Sequence, residues 1–268
     1  MKHWILSAAI IAGLAACATT TSSTGRRQYV GGVSEQQLNQ LGAQAFVEAK
    51  SKGPLSNDAK QNAYVRCVVN ALVRQLPAQE QGTSWETALF ANNEPNAFAL
   101  PGGKVGVNTG IFSVAKNQDQ LAAVLAHEIG HVVEHHHDER ITRQMGAQTG
   151  LGIVGALLGS RYGQGATNAT SQLGGAAVQG FVLLPNSRIQ ESEADVVGQR
   201  LMASAGFDPE QAVSLWQNMI ASGGGRPPEW LSTHPNPESR IQELRSRAGT
   251  LTPTYQQARA SGRVPKCG

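Results

Sequence analysis

Two histidines four residues apart, His127 and His131, set the strongest limit on how this chain folds. They lie in residues 117–136, where the spacing of apolar side chains predicts a helix. Side chains at i and i+4 share one face of a helix, so both imidazoles would lie together among apolar neighbours, where they need a partner. One zinc ion bound by both would satisfy them, and Glu128 could then act on a water molecule. A surface helix with two histidines is the alternative.

A third ligand is expected, because catalytic zinc usually has three protein ligands and one open position. Glu191 and Asp195 lie four residues apart on a second predicted helix. One of these carboxylates could bind zinc while the other hydrogen-bonds a ligand histidine. Glu193 is a nearby alternative ligand. An acidic first turn that only complements the helix dipole is the simpler interpretation.

The histidines of residues 135–137 offer another choice. His137 lies ten residues after His127, as in zinc enzymes with a third histidine, but Glu134 replaces the glycine of their turn. The run of three could instead bind metal weakly at the surface.

Composition indicates a globular protein. The 268 residues, 40% hydrophobic and 15% charged, suit one or two domains. The net charge of +3, with no basic run longer than Arg26-Arg27, argues against a nucleic-acid partner. Helices around one small sheet predict an α+β fold in a single domain at residues 34–250, followed by a tail at 251–268. The helices are expected at residues 34–50, 58–76, 117–136, 188–205, 209–221 and 236–247, and the strands at 84–91 and within 95–109.

The N-terminus has the pattern of an export signal. Residues 4–16 are apolar or small and too few to span a bilayer. The following Leu14-Ala15-Ala16-Cys17 resembles the lipobox of bacterial lipoproteins. That resemblance implies a signal peptide at residues 1–16 and lipidation of Cys17; an ordinary cleaved signal is the alternative.

The same resemblance implies a cellular location. Because Ala18 rather than aspartate follows the lipidated cysteine, the protein would be delivered to the outer membrane and anchored on its periplasmic face. Residues 17–33, rich in Ser, Thr and Gly, would form a flexible tether.

Two cysteines, Cys67 and Cys267, remain. In an oxidising compartment an even number suggests one disulfide, which would tie the C-terminal tail to an N-terminal helix. Two free thiols, with Cys67 buried on its helix, are the alternative.

Three motifs in order carry a resemblance to a known family: HEIGH at 127–131, SRIQESEAD at 187–195 and THPNPESRI at 233–241. They make residues 34–248 resemble the zinc metallopeptidase family of HtpX and the CAAX prenyl protease, especially its short periplasmic lipoprotein members without helical repeats. The resemblance implies a mostly helical zincin-type (gluzincin) metalloprotease domain with one small sheet.

The resemblance also implies a ligand set. One zinc ion per chain would be bound by His127, His131 and Glu191. Asp195 would support a ligand histidine, and Glu128 would be the general base.

The residues Asn96, Ala97, Phe98 and Ala99 match the family's edge strand beside the cleft. An extended substrate could add to that edge by backbone hydrogen bonds. An ordinary hairpin in the core sheet is the alternative.

His234 and Arg240 match residues near the zinc in this family. His234 would either stabilise the oxyanion or occupy the open zinc position in a resting enzyme. Arg240 would donate to the oxyanion or orient the substrate. For both, the alternative is a surface position in a helix-entry loop.

Residues 146–186 are rich in glycine and lie between the two ligand motifs. They are expected to form a mobile lid or plug over the site, with a disordered insertion as the alternative.

The family resemblance and the location implied by the lipobox-like sequence predict an endopeptidase of the bacterial periplasm that acts on unfolded or misassembled outer-membrane proteins. The outer-membrane assembly machinery is a candidate partner. The alternative is a chaperone-like assembly factor that uses the same cleft while its peptidase activity is autoinhibited.

Overall fold

A computed structural model describes residues 18–81, 83–146, 186–222, 234 and 237–268. The expected signal peptide and lipidated Cys17 lie outside the described residues, as does nearly all of the glycine-rich segment 146–186. The described part is mostly helical with two small sheets, which confirms the α+β, zincin-type fold. The helices in chain order are α1 (Glu35–Lys52), α2 (Ala59–Val73), α3 (Ala78–Gln81), α4 (Gln118–Val133), α5 (136–146), α6 (Arg188–Ala205), α7 (Gln211–Ser222) and α8 (Pro237–Ala260).

The first sheet corrects the flexible tether predicted for residues 17–33. Its antiparallel strands are β1 (Ala18–Thr21) and β2 (Arg27–Val30). The turn between them carries Arg26, which forms ion pairs with the buried carboxylates of Glu139 and Glu193. Composition suggested flexibility, but these contacts with distant parts of the chain hold the hairpin against the domain.

The second sheet has three strands, and β4 forms one of its edges. Its strands are β3 (Glu86–Phe90), β4 (Ala97–Leu100) and β5 (Lys104–Asn108). β3 runs parallel to β5, and β4 runs antiparallel to β5. β4 also packs against α4, so the edge strand lies beside the helix that carries the histidine pair.

Three helices end at least three residues from their predicted positions. α2 stops at Val73 rather than residue 76. α4 stops at Val133 rather than residue 136, because His135 adopts a left-handed conformation (φ 52°) that ends the helix before α5 begins at residue 136. α8 continues to Ala260, past the domain boundary expected at residue 250. The buried Leu244 and Ala258 show that tertiary packing extends along this helix.

Glycines allow α4 and α6 to approach closely. A Cβ atom on Gly130 would lie 2.9 Å from the carbonyl oxygen of Ala194, and one on Gly198 would lie 3.0 Å from the backbone nitrogen of His127. A larger residue at either position would push the two helices apart. The close contact therefore depends on both glycines.

The C-terminal tail is attached to two helices, α2 and the start of α4. Cys67 on α2 and Cys267 form a disulfide with Cα atoms 5.5 Å apart. The Gln118 side chain donates to the carbonyl of Pro265 and accepts from the backbone N–H of Cys267.

Within the described part of the chain, no helix is both long and apolar enough to cross a membrane.

Removing the disulfide should destabilise the domain, because the bond joins residues 200 positions apart and restricts the unfolded chain. The double variant Cys67→Ser/Cys267→Ser should lose about 2–4 kcal/mol of unfolding free energy in urea titrations. The control is the wild type, measured like the double variant as the chain from residue 18 onward, without the proposed anchor at Cys17. Equal unfolding midpoints for the double variant and the control would contradict the disulfide.

Candidate metal centre

Four buried side chains converge where α4 and α6 meet. They are His127 and His131 of α4, Glu191 of α6, and His234, and their ligand atoms all lie within 4.8 Å of one another. The helices account for the convergence. The two histidines are one turn apart on α4, and a capping box between Ser187 and Gln190 starts α6 so that Glu191 falls in its first turn.

The separations between these atoms suit a shared metal ion. His127 Nε2 lies 3.1 Å from His131 Nε2 and 3.3 Å from Glu191 Oε2. His131 Nε2 lies 3.4 Å from Glu191 Oε1. Nitrogen and oxygen ligands arranged tetrahedrally around zinc lie roughly 3.3–3.6 Å from one another, given metal–ligand bonds of about 2.0–2.2 Å. The donor set therefore fits zinc, and also the other divalent metals that imidazole binds.

His234 completes the group. Its Nδ1 lies 2.9 Å from Glu191 Oε2 and 3.2 Å from His127 Nε2, and its Nε2 lies 3.4 Å from Glu128 Oε1. His234 is 5% exposed, so the surface histidine of the alternative interpretation is excluded. The side chain thus contacts both the ligand cluster and the glutamate between the two helix histidines.

Asp195 and Arg240 form a buried ion pair behind the cluster. Asp195 Oδ1 lies 2.9 Å from His127 Nδ1, where it accepts the ring N–H and leaves Nε2 free to bind metal. Arg240 donates to both oxygens of Asp195 and to Glu191 Oε2, each over 2.7 Å. Its guanidinium carbon lies 3.9 Å from the centre of the Trp216 ring.

These contacts correct the role predicted for Arg240. The resemblance led us to expect a donor to the oxyanion or to the substrate. The guanidinium is instead buried and its donors are directed at Asp195 and Glu191. Arg240 therefore holds the two carboxylates in place.

The electrostatics favour a cation at this point. Burial disfavours the charged form of His127, but hydrogen bonds with Asp195 and Glu191 outweigh burial and raise the pKa of His127 to about 9. Burial would likewise raise the pKa of Glu191, yet the surrounding histidines hold that pKa well below its usual range. Burial lowers the pKa of His131, which keeps that imidazole neutral and able to bind metal.

The other candidate ligands lie elsewhere. Glu193 points away from the cluster and accepts hydrogen bonds from Ser22, Thr24 and Arg26. His137 is buried but is not part of the cluster. A weak surface metal site in residues 135–137 is also wrong, because only His135 of the three is exposed.

The sequence analysis did not identify several residues that surround the ligand cluster. Trp216 comes from α7 and Arg26 from the N-terminal hairpin. Each reaches its partner through the tertiary fold, and no local spacing marks it. His136 had a visible signal, as one of three consecutive histidines, but the sequence did not show which way its ring points.

The helix histidine pair, the carboxylate from a second helix and the small sheet beside them define a zincin-type metalloprotease site. The family model Peptidase family M48 matches residues 59–248. The chain belongs to this family. The match confirms the metallopeptidase family inferred from the three motifs.

Two relatives show the extent of the similarity. The Beta-barrel assembly-enhancing protease of Escherichia coli (strain K12) is 32% identical over 232 residues, which are 83% of this chain and 46% of that protein. The Mitochondrial metalloendopeptidase OMA1 of Schizosaccharomyces pombe is 39% identical over 162 residues, 60% of this chain and 45% of that protein. The chain therefore spans less than half the length of either relative.

Replacing Arg240 by methionine should strongly destabilise the metal-free protein, because two buried carboxylates would lose their counter-ion. We expect a loss of about 3–5 kcal/mol in the free energy of unfolding, measured by urea titration. The control is Arg247→Met on the same helix, which removes a hydrogen bond to Gln199 and should lose only about 1 kcal/mol. Similar losses in the two variants would contradict this account of the ion pair.

Proposed function

We propose that this chain is a zinc-dependent endopeptidase. The observation that carries the proposal is the convergence of His127, His131 and Glu191 next to Glu128, which lies on the same helix as the histidine pair. Two imidazoles and one carboxylate are a ligand set typical of catalytic zinc, with one ion per chain. When bound, zinc supplies a Lewis acid that polarises a carbonyl oxygen and makes water more acidic.

The protein side chains transfer the proton and hold the ligands in place. Glu128 takes a proton from the water that attacks the scissile carbonyl carbon and passes it to the leaving amine. Asp195 accepts the N–H of His127 and so fixes the tautomer and orientation of that ligand. Arg240 keeps Asp195 and Glu191 ionised and in place.

The substrate is an extended segment of an unfolded protein chain. β4 supports this proposal because it lies at the sheet edge and packs against the histidine helix. The backbone of Asn96, Ala97, Phe98 and Ala99 would bind the substrate as an added strand, which selects for extended conformation more than for sequence. Folded proteins would be poor substrates because their strands are already paired.

The proposed location is the periplasmic face of the bacterial outer membrane, with Cys17 as the lipid anchor. The lipobox-like sequence ending at Cys17 supports the anchor. The name of the E. coli relative, a beta-barrel assembly-enhancing protease, supports a role in the quality control of outer-membrane proteins, together with their assembly machinery.

A second candidate is favoured by the position of His234. Its Nδ1 lies among the ligand atoms, 3.2 Å from His127 Nε2, where it could fill the coordination position that a substrate needs. The chain would then be a chaperone-like assembly factor with an autoinhibited peptidase site. In the active peptidase, by contrast, the same histidine would donate to the oxyanion.

Glu128→Gln should keep zinc and lose proteolysis, because the amide cannot accept the proton from water. With unfolded casein as substrate we expect a loss of at least about 100-fold in the cleavage rate, at unchanged zinc content. The control is His135→Asn, which removes an exposed histidine from the turn after the same helix, tolerates the left-handed backbone there and should cleave at the wild-type rate. Wild-type cleavage by Glu128→Gln would disprove the assignment of the base.

His234→Ala distinguishes the two candidates in the same assay. A faster variant would mean that His234 restrains the site, as the autoinhibited candidate requires. A slower variant with full zinc content would mean that His234 assists catalysis. If no form cleaves casein while zinc-loaded wild type still suppresses casein aggregation, the chaperone-like candidate is supported instead.

A further inference from the structure

The two ligand histidines are supported in different ways. His127 Nδ1 contacts the carboxylate of Asp195 directly. His131 Nδ1 instead lies 2.8 Å from Nδ1 of a third imidazole, His136. Nε2 of His136 in turn lies 3.1 Å from Glu193 Oε2. Each ligand histidine is therefore supported by a carboxylate. Asp195 contacts His127 directly, whereas Glu193 reaches His131 only through the His136 ring.

If His131 binds metal, the direction of every hydrogen bond in the series His131–His136–Glu193 is fixed. His131 presents Nε2 to the ligand cluster, so its ring proton must be on Nδ1. That N–H donates to His136 Nδ1, which must be the unprotonated nitrogen of its ring. The proton of His136 is then on Nε2, from which it donates to Glu193. Each neutral ring thus has a single consistent tautomer.

The N-terminal hairpin holds the far end of the series. Arg26 donates to both oxygens of Glu193 over 2.7–3.0 Å and to both oxygens of Glu139 over 2.8 Å. Ser22 and Thr24 donate to Glu193 Oε1 over 2.6 and 2.7 Å. Glu193 is 2% exposed, so it depends on these donors to stay charged inside the protein.

We propose that His136 and Glu193 are positioning residues for the metal ligand His131, and that Arg26 makes the N-terminal hairpin part of the metal centre. The series orients the His131 ring and increases the basicity of its Nε2, as a carboxylate does for a metal-bound histidine. The inference rests on the proposed function, because it requires His131 to bind metal.

His136→Phe tests the central step, because phenylalanine fills the space of the ring but cannot accept from His131. Zinc affinity, measured by competition with a chromophoric chelator, should fall about 10–100-fold relative to wild type. His136→Asn should recover most of the affinity, because its carboxamide oxygen can lie near the position of Nδ1. His137→Phe, the control at the next buried histidine of the same helix, should bind zinc like wild type.

Arg26→Met tests the hairpin end of the series. Its control is Arg143→Met, because Arg143 also pairs with Glu139 but does not touch Glu193. Zinc affinity should fall in Arg26→Met and stay unchanged in Arg143→Met. If Arg26→Met does not fold, Arg26→Lys replaces it, since lysine keeps the charge but loses the two-carboxylate geometry.

A spectroscopic readout separates positioning from simple loss of stability. In ¹H–¹⁵N spectra of the zinc-loaded protein, the Nδ1–H resonance of His131 should be protected from exchange in wild type and exposed in His136→Phe. Wild-type affinity and a protected resonance in His136→Phe would overturn this inference alone. Failure of the wild-type protein to bind zinc at all would overturn the proposed function as well.

Discussion

The metal centre depends on keeping two carboxylates charged inside the protein. Glu191 and Asp195 are 1% and 4% exposed, and an ionised carboxylate at such depth is stable only with opposite charge and hydrogen-bond donors around it. Arg240 supplies both, with the face of Trp216 against its guanidinium. Even so, the carboxylates and the imidazole nitrogens concentrate more electron-donor atoms at one point than one arginine can satisfy. A divalent metal ion bound by His127, His131 and Glu191 would complete the charge balance.

Close helix packing brings these groups to one point. Gly130 and Gly198 let α4 and α6 approach until Glu191 reaches the histidine pair. The same approach puts Asp195, one turn further along α6, beside His127. The M48 domain thus uses two helices, each carrying functional residues four positions apart, to build a ligand set together with its support. Within this arrangement β4 packs against α4, so a substrate strand bound as proposed to the β4 edge would lie next to the site.

The hairpin after residue 17 extends the centre beyond the two helices. His127 is supported from within the domain, by Asp195. His131 is supported through His136 and Glu193, and these depend on Arg26 of the hairpin. In a lipid-anchored protein, the segment next to the anchor would then help to hold a ligand. The sequence did not reveal this link, because the composition of the segment resembles that of a linker and its partners lie more than a hundred positions away.

The sequence alone determined the parts that follow from local spacing. The i and i+4 positions of His127 and His131 specify one helix face, and the same spacing pairs Glu191 with Asp195. The helix around Val124 and the strands around Ala88 and Val105 followed from short-range patterns. Local spacing left Glu191 and Glu193 both open as ligands, and the family resemblance favoured Glu191, which the structure places with the histidines. Only the tertiary structure decided that Arg240 pairs with both carboxylates and that His136 faces His131. These depend on helix rotation and approach, which are set by contacts such as Gly198 against His127, and such contacts leave no periodic trace in the chain.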